Sequence, residues 1–212
     1  MAADSKTSVV AALGGNFVIM IAKFTGFFIT GSGSMFAEAV HTAADVANQA
    51  LLLLGIVRSG KDANEKYQYG FGQERFVWAL ISAVGIFFLG CGVTLMHGID
   101  TLFAEVHHAP THVGIAVGIL VGSFIIELIV LVIAAKGLVA AADGKPFFRF
   151  LKEEADPSAV AVLLEDAAAC IGVLLALGAI GLTHLTGHAY WDSIGSILIA
   201  LLLGAMAIWL AF

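Results

Sequence analysis

Hydrophobic residues fill six long runs of the chain, near residues 8–30, 35–57, 76–99, 112–135, 158–183 and 189–212. Each run is about as long as the ~20 residues that a helix needs to cross the ~30 Å hydrocarbon core of a membrane. Polar residues are concentrated in the stretches between these runs. The pattern therefore predicts an all-α membrane protein in which residues 1–212 form a single domain of six transmembrane helices.

Composition agrees with this pattern. Hydrophobic residues make up 60% of the 212 residues, charged residues make up 12%, and the mean hydropathy is +0.98. Such a chain has too few polar groups to cover a water-facing globular surface, which excludes an ordinary soluble domain. The net charge of −6 is scattered over spans and loops and includes no basic stripe, so no nucleic-acid partner is predicted.

Lysine and arginine residues fall on one side of the predicted membrane. Apart from Lys23 they precede the first span or lie in the second-to-third and fourth-to-fifth connections: Lys6, Arg58, Lys61, Lys66, Arg75, Lys136, Lys145, Arg149 and Lys152. The alternate connections contain no lysine or arginine. By the positive-inside rule, both termini are predicted to be cytoplasmic.

Ionisable residues inside the spans interrupt the hydrophobic pattern. They are Lys23 in the first span, Glu38, His41 and Asp45 in the second, Glu127 in the fourth, and Glu165 and Asp166 in the fifth. At the centre of a membrane helix an ionisable side chain costs roughly 2.5–3.5 kcal/mol on insertion scales. Such residues usually face a partner or a cavity, and they mark a functional path.

The second and fifth spans together supply the groups for a metal site. His41 and Asp45 are four residues apart, so on a helix they share one face, and Asn48 lies on that face too. An imidazole nitrogen and a carboxylate oxygen form half of a site for zinc, which prefers four nitrogen, oxygen or sulfur ligands. Glu165 and Asp166 are predicted to supply the other half. The structural alternatives are a hydrogen-bonded core histidine and an ion pair that locks two helices.

Two further acids have alternative interpretations. Glu38, one turn before His41, is expected near the outer mouth of the bundle or paired with Lys23, with a metal-ligand or proton-acceptor role as the alternative. Glu127 has no evident partner in the sequence. It is interpreted as bonding to another helix, with a role in a proton relay as the alternative.

Local signals predict how the spans are connected and packed. Ser32 and Ser34 are expected to cap the second helix. Pro146 is expected to begin a short interfacial helix that ends before Pro157, with a solvated linker as the alternative. A glycine repeat of period four is expected to let a neighbouring helix approach the fourth span closely: Gly114, Gly118 and Gly122. Two cysteines are expected to be small packing residues: Cys91 and Cys170.

At this point the motifs resemble a known family. HTAAD on the second span, an aspartate early on the fifth and the six-span pattern resemble the cation diffusion facilitators, which export zinc and related divalent ions. The stretches YGFGQERFVWAL and VLLEDAAA are especially similar to the branch that includes the animal mitochondrial zinc transporter. The resemblance covers nearly the whole chain. It implies a homodimer with one transport site per protomer, formed between the second and fifth spans by His41, Asp45 and Asp166.

One departure from the family's pattern concerns the fourth ligand. The family commonly has a histidine or aspartate four residues before the fifth-span aspartate, and here that position is Val162. Glu165 is expected to substitute, with Asn48 or water as alternatives. The metal preference depends on which of these completes the shell.

Two other departures lie outside the membrane. Some bacterial relatives bind an additional ion after the second span, but this chain has Asn64, Tyr67 and Phe71 there, so no metal is predicted in that loop. Family members normally continue into a cytoplasmic metal-binding domain of ferredoxin-like fold, whereas this chain stops at Phe212. Dimerisation is therefore expected to rest on the membrane part.

The predicted function is export of Zn²⁺, or a related divalent cation, coupled to inward proton flow, with the direction implied by the family resemblance. Metal binding requires a neutral His41 and ionised carboxylates, so protonation on the acidic side expels the ion. No enzyme activity or resident cofactor is predicted, since neither HExxH nor GxGD is present for an intramembrane hydrolase. A non-transporting membrane metal sensor or scaffold is the alternative. The compact loops favour a prokaryotic inner membrane.

Overall fold

A computed structural model describes residues 2–62, 64, 67–104, 109–155 and 157–211. The helices, in chain order, are α1 (Ala2–Thr30), α2 (Gly33–Ser59), α3 (Glu74–Gly85), a π-helical segment (Ile86–Val93), α4 (Thr94–Leu102), α5 (Val113–Ala141), α6 (Phe147–Glu153), α7 (Pro157–Thr186) and α8 (Tyr190–Ala211). These residues contain no strand. The predicted all-α class is therefore confirmed over the described chain.

Five of the described helices, α1, α2, α5, α7 and α8, are long and apolar enough to cross a membrane. They coincide with five of the six predicted spans, although α5 continues to Ala141 rather than ending near residue 135. A helix can continue beyond the hydrocarbon core, because its backbone hydrogen bonds are made within the helix both in lipid and in water. The third predicted span corresponds to α3, the π-helical segment and α4, which follow one another without a break.

The π-helical segment is a feature that the hydrophobic pattern did not predict. Its sequence, IFFLGCGV, is apolar throughout, so no change of periodicity marks the wider turns. Cys91 in this segment lies against α8, where a Cβ on Gly204 would come within 2.8 Å of its Sγ. This cysteine and the buried Cys170 are both free thiols in packing positions.

Helix α2 lies at the centre of the bundle and packs against α1, α3, α7 and α8. The main buried cluster joins α2, α5, α7 and α8 through Met35, Ala37, Ala116, Leu120, Val173, Ala176, Ile180, Ile199 and Leu203. Gly172 of α7 permits one close approach, because a Cβ there would overlap Oε1 of Glu38 on α2. Small residues at such contacts let membrane helices pack by van der Waals attraction.

Large apolar side chains also cover the outside of the bundle. Phe28, Phe76, Phe88 and Leu185 are between 66% and 82% exposed. A water-soluble monomer rarely shows apolar surface over so wide an area, whereas a lipid-facing surface requires it. The outer surface thus agrees with the length and composition of the helices.

The glycine repeat on α5 makes no close contact of the predicted kind with another helix of the described chain. Gly114, Gly118 and Gly122 are exposed, and a Cβ on any of them would meet no atom within 4 Å. The inward face of α5 instead carries Ala116 and Leu120. Spacing indicates that the glycines share a face but not which way that face points, and no helix of the described chain packs against it.

The turn between α1 and α2 is fixed by a network around Ser32. Its Oγ accepts a hydrogen bond from Met35 N at 3.2 Å, which confirms Ser32 as a cap. Ser34 does not cap the helix, because it lies in the first turn and its hydroxyl donates to Asp192 O at 2.9 Å. The Ser32 hydroxyl donates to Asp192 Oδ1 of α8 at 2.8 Å. Asp192 also accepts from the backbone amides of Gly33, at 2.5 Å, and Ser34, at 3.2 Å. A carboxylate of the last helix therefore holds the start of the second.

The predicted short helix after Pro146 is confirmed as α6. Phe150 on this helix is buried with Leu138 and Ala142 at the end of α5 and with Leu163 of α7. The apolar side of α6 thus packs against protein, which excludes the solvated linker as an interpretation.

Candidate functional site

A small polar cavity lies beside α2 within the bundle. Its walls are formed by Asn16 of α1, Thr42, Asp45 and Gln49 of α2, Glu127 of α5, and Glu165, Asp166 and Ala169 of α7. Its volume is about 20 Å³, enough for one water molecule or one bare ion. Polar space of this kind among membrane-crossing helices is a candidate for a substrate path.

Four of the wall residues carry a carboxyl group: Asp45, Glu127, Glu165 and Asp166. They belong to three helices and meet because α7 packs against both α2 and α5. Like charges taken out of water are strongly unfavourable unless protons or a cation neutralise them. The cavity therefore contains a group of acids whose charge either a cation or protons can neutralise.

His41 lies beside this cavity rather than on its wall. Its Nε2 is 3.6 Å from Asp45 Oδ2, which is an ion-pair distance but too long for a hydrogen bond. The side chain is buried, and neither ring nitrogen has a hydrogen-bond partner in the described residues. The hydrogen-bonded core histidine that the sequence left as an alternative is thus not observed. A buried imidazole with both nitrogens unused is available to a ligand.

Glu165 and Asp166 are adjacent in sequence but are held differently. Glu165 Oε1 accepts a hydrogen bond from Asn48 Nδ2 at 2.8 Å, and Asn48 Oδ1 accepts one from Ser82 Oγ. Asp166 Oδ2 is buried and has no partner in the described chain. Asn48 is not a wall residue, and its contact with Glu165 makes it an orienting partner. Val162 is 46% exposed and is not on the cavity wall either.

The two remaining ionisable residues, Lys23 and Glu38, form a buried triad with Glu127 of the cavity wall. Lys23 Nζ donates to Glu38 Oε2 and to Glu127 Oε1, both at 2.8 Å. Lys23 and Glu38 are fully buried. The predicted pairing of Glu38 with Lys23 is confirmed, and so is the interpretation that Glu127 bonds to another helix. The triad joins α1, α2 and α5.

The predicted metal ligands are therefore neighbours without forming a finished coordination shell. Asp45, Glu165 and Asp166 share the cavity, and His41 adjoins it through Asp45. Within the part of the chain that the structure describes, no group of three or more His, Cys, Asp or Glu side chains is arranged to hold a metal ion. Binding an ion there requires side chains to rotate toward one point.

Three uncharged polar residues of the wall were not predicted from the sequence: Asn16, Thr42 and Gln49. Thr42 lies three residues before Asp45 and Gln49 four after it, so helical spacing places all three on one face of α2. Gln49 Oε1 is buried and has no partner in the described residues. Asn16 is a carboxamide in an apolar span. A search for polar as well as ionisable residues within the spans would have found all of them.

Comparison with known proteins gives a consistent result. A family model described as the cation efflux transmembrane domain matches residues 9–211. Metal tolerance protein C4 of Arabidopsis thaliana is 38% identical over 208 residues, which cover 97% of this chain and 45% of that protein. The mitochondrial proton-coupled zinc antiporter SLC30A9 of Homo sapiens is 38% identical over 221 residues, covering 98% of this chain and 38% of that protein.

A more distant similarity is confined to part of the chain. Magnetosome protein MamM of Paramagnetospirillum magneticum is 30% identical over 98 residues, covering 46% of this chain and 30% of that protein. The chain spans less than half the length of the curated relatives it matches.

Proposed function

The chain belongs to the cation efflux family, and on that premise we propose that it moves Zn²⁺ or a related divalent cation across a membrane. It is an integral membrane protein of a family of transporters rather than enzymes. The proposed direction is out of the cytoplasm, in exchange for protons. The proposed site lies between α2 and α7. The relatives named as proton-coupled zinc antiporters support the cation and the coupling.

One observation supports this proposal more than any other. Four carboxyl groups from three helices surround one small cavity among membrane-crossing helices. A bundle stabilised by packing alone gains nothing from placing several acids in one cavity, because their charges repel. A cation that enters the cavity removes this repulsion, and protons do so when the cation has left.

The proposed ligands are His41 and Asp45 of α2 with Asp166 and Glu165 of α7. His41 and Asp166 have buried atoms without hydrogen-bond partners among the described residues, so an ion displaces no bond when it reaches them. Glu165 completes the shell with its other carboxylate oxygen, while its Oε1 keeps the hydrogen bond from Asn48, the orienting partner. One nitrogen and several carboxylate oxygens form a set that zinc accepts in tetrahedral geometry.

The proposed topology has six spans with both termini in the cytoplasm. The third span consists of α3, the π-helical segment and α4, which are continuous over residues 74–102. Alternating access would follow from α2 and α7 rocking against the other helices, so that the cavity opens to each side in turn. A homodimer and a prokaryotic inner membrane remain predictions. Among the relatives, SLC30A9 is named as mitochondrial and MamM as a magnetosome protein.

Replacement of Asp45 by asparagine tests the proposal. Asp45→Asn keeps the shape of the side chain but removes a charge that both adjoins His41 and lines the cavity. Zinc uptake into proteoliposomes, followed with a zinc-sensitive dye inside the vesicles, is expected to fall at least about ten-fold, since loss of one ligand interaction of about 1.4 kcal/mol already has that effect. Asp100→Asn, at an exposed position of α4, is the matched control.

Two results would count against transport through this site. Wild-type uptake by Asp45→Asn would exclude the site. Zinc binding to the wild-type protein without any uptake would instead favour the sensor or scaffold.

A further inference from the structure

The buried triad borders the cavity through Glu127 and not through Glu38. Both carboxylates accept a hydrogen bond of 2.8 Å from Lys23 Nζ, so the two acids have the same relation to the lysine. Glu127 is a wall residue of the cavity, whereas Glu38 is not. The oxygen of Glu38 that does not bond to Lys23 packs against Gly172 of α7.

Only one of the two carboxylate oxygens of Glu127 has a hydrogen-bond partner in the described residues. Its Oε1 bonds to Lys23, while its Oε2 is buried and has no partner in the described residues. The side chain is 10% exposed, so bulk water does not satisfy the second oxygen. A buried carboxylate oxygen without a partner is unfavourable, and on the wall of a cation site it is positioned to bind the cation.

We infer that Glu127 is shared between Lys23 and the transported cation. A cation in the cavity binds Glu127 Oε2 and draws the carboxylate away from Lys23, and Lys23 recovers the carboxylate when the cation leaves. The lysine is thus a tethered positive charge that competes with the cargo. Such competition keeps binding weak enough for release, which every transport site requires. This inference rests on the proposed function and adds a residue of α5 to its site.

If the contact between Lys23 and Glu127 only stabilises the fold, zinc affinity depends on the net charge of the triad and not on which glutamate carries it. If Glu127 is shared with the cation, the position of the charge decides the affinity. With all three groups ionised, the triad has a net charge of −1, from one lysine and two glutamates. Two double variants preserve this charge but place it differently. Lys23→Met with Glu38→Gln leaves the charge on Glu127, at the cavity wall. Lys23→Met with Glu127→Gln leaves it on Glu38, away from the wall.

Zinc affinity of the two charge-matched variants tests the inference. The purified full chain in detergent is equilibrated with Zn²⁺ by dialysis, and bound metal is measured after size-exclusion chromatography shows that each variant is folded. The variant that retains Glu127 is expected to bind zinc at least three-fold more tightly than wild type, because the competing lysine is gone. The variant that retains Glu38 is expected to bind at least ten-fold more weakly than wild type.

Equal affinities of the two double variants would overturn the inference, since net charge alone would then set the affinity. If either double variant does not fold, the single variants Glu127→Gln and Glu38→Gln give the same comparison. Glu127→Gln is then expected to weaken zinc binding at least three-fold more than Glu38→Gln, and equal losses would overturn the inference. Asp45→Asn separates this result from failure of the proposed function. If Asp45→Asn binds zinc as wild type does, the site itself is wrong, whatever Glu127 does.

Discussion

At the residue scale, the orientation of Glu165 depends on a chain of two hydrogen bonds. Ser82 of α3 donates to the carbonyl of Asn48 on α2, and the amide of Asn48 donates to Glu165 on α7. The Ser82 hydroxyl bonds to the oxygen of the Asn48 carboxamide, so the nitrogen is the end that faces Glu165. Asn48 therefore presents a hydrogen-bond donor to the carboxylate. Partners of this kind tune a ligand without touching the ion.

Alanine substitutions of Asn48 and Ser82 test this chain of bonds. Each is expected to weaken zinc binding about ten-fold, the usual loss when an orienting partner of a ligand is removed. Because both changes break the same chain, the double variant Asn48→Ala/Ser82→Ala is expected to lose little more than either single variant. Equilibrium dialysis measures the affinities. Ser123→Ala is the matched control, since Ser123 is a buried serine that donates to Leu120 O on α5.

Additive losses would show that the two residues act independently. A loss confined to Asn48→Ala would indicate that Asn48 contacts the ion itself, as the sequence left open.

At the element scale, the position of α2 is set at its N-terminus by α8. Asp192 accepts hydrogen bonds from Ser32 Oγ and from the amides of Gly33 and Ser34. These amides belong to the first turn of the helix, where backbone donors have no partner within the helix. A carboxylate at this end also interacts favourably with the helix dipole. Since α2 contributes His41 and Asp45, the same contact sets the position of both residues along the axis of the bundle.

Asp192→Ala is expected to destabilise the folded protein more than it changes the site. It leaves at least one buried amide without an acceptor, which costs about 1–3 kcal/mol. Thermal unfolding in detergent is therefore expected at a clearly lower temperature than for wild type. Zinc uptake per folded molecule, measured well below that temperature, is expected to be retained.

Asp100→Ala is the control for this experiment, because Asp100 is exposed on α4. It is expected to change stability by no more than about 0.5 kcal/mol. An unchanged unfolding temperature for Asp192→Ala would show that α2 is held by its packed faces alone.

At the scale of the whole molecule, the cavity in the bundle has several acidic side chains on its wall and few basic side chains near them. The four carboxyl groups of the cavity wall lie next to Lys23 and His41. Lys23 is shared between Glu38 and the wall residue Glu127, so its single charge offsets at most one of the four wall carboxylates. Occupation by a divalent cation and occupation by protons are two ways of balancing the same charge, and the proposed exchange of cation for protons follows from this.

The direction of a pH gradient is therefore expected to set the direction of zinc flux. The cation binds when the carboxyl groups are ionised and the imidazole is neutral, so a lower pH on one side weakens binding at that side. Proteoliposomes with an acidic interior are expected to accumulate zinc faster than vesicles without a gradient, and an alkaline interior is expected to slow uptake. A zinc dye and a pH dye inside the vesicles follow both ions.

Nigericin in potassium buffer, which collapses the gradient, is the control. Zinc uptake that is unaffected by either gradient would refute proton exchange while leaving the cation site in place.

The amino-acid sequence alone determined the helical class, the positions of the long apolar helices, the Ser32 cap and the short helix α6. It also determined the family, which the matching model and relatives confirm together with the resemblance to the animal mitochondrial branch. These features depend on hydropathy, on helical spacing or on short motifs, and each is contained in a local stretch of chain.

Contacts between distant residues were decided only by the tertiary structure. Lys23 and Glu127 are 104 positions apart, and nothing in either neighbourhood indicates the other. Local sequence also did not predict three side-chain or helix orientations. These are the outward-facing glycines of α5, Asn48 turned toward Glu165, and His41 beside the cavity rather than on its wall. Each depends on the rotation of a helix about its own axis. In lipid that rotation is set by packing against neighbouring helices, because hydrophobicity by itself does not distinguish a lipid-facing side from a buried one.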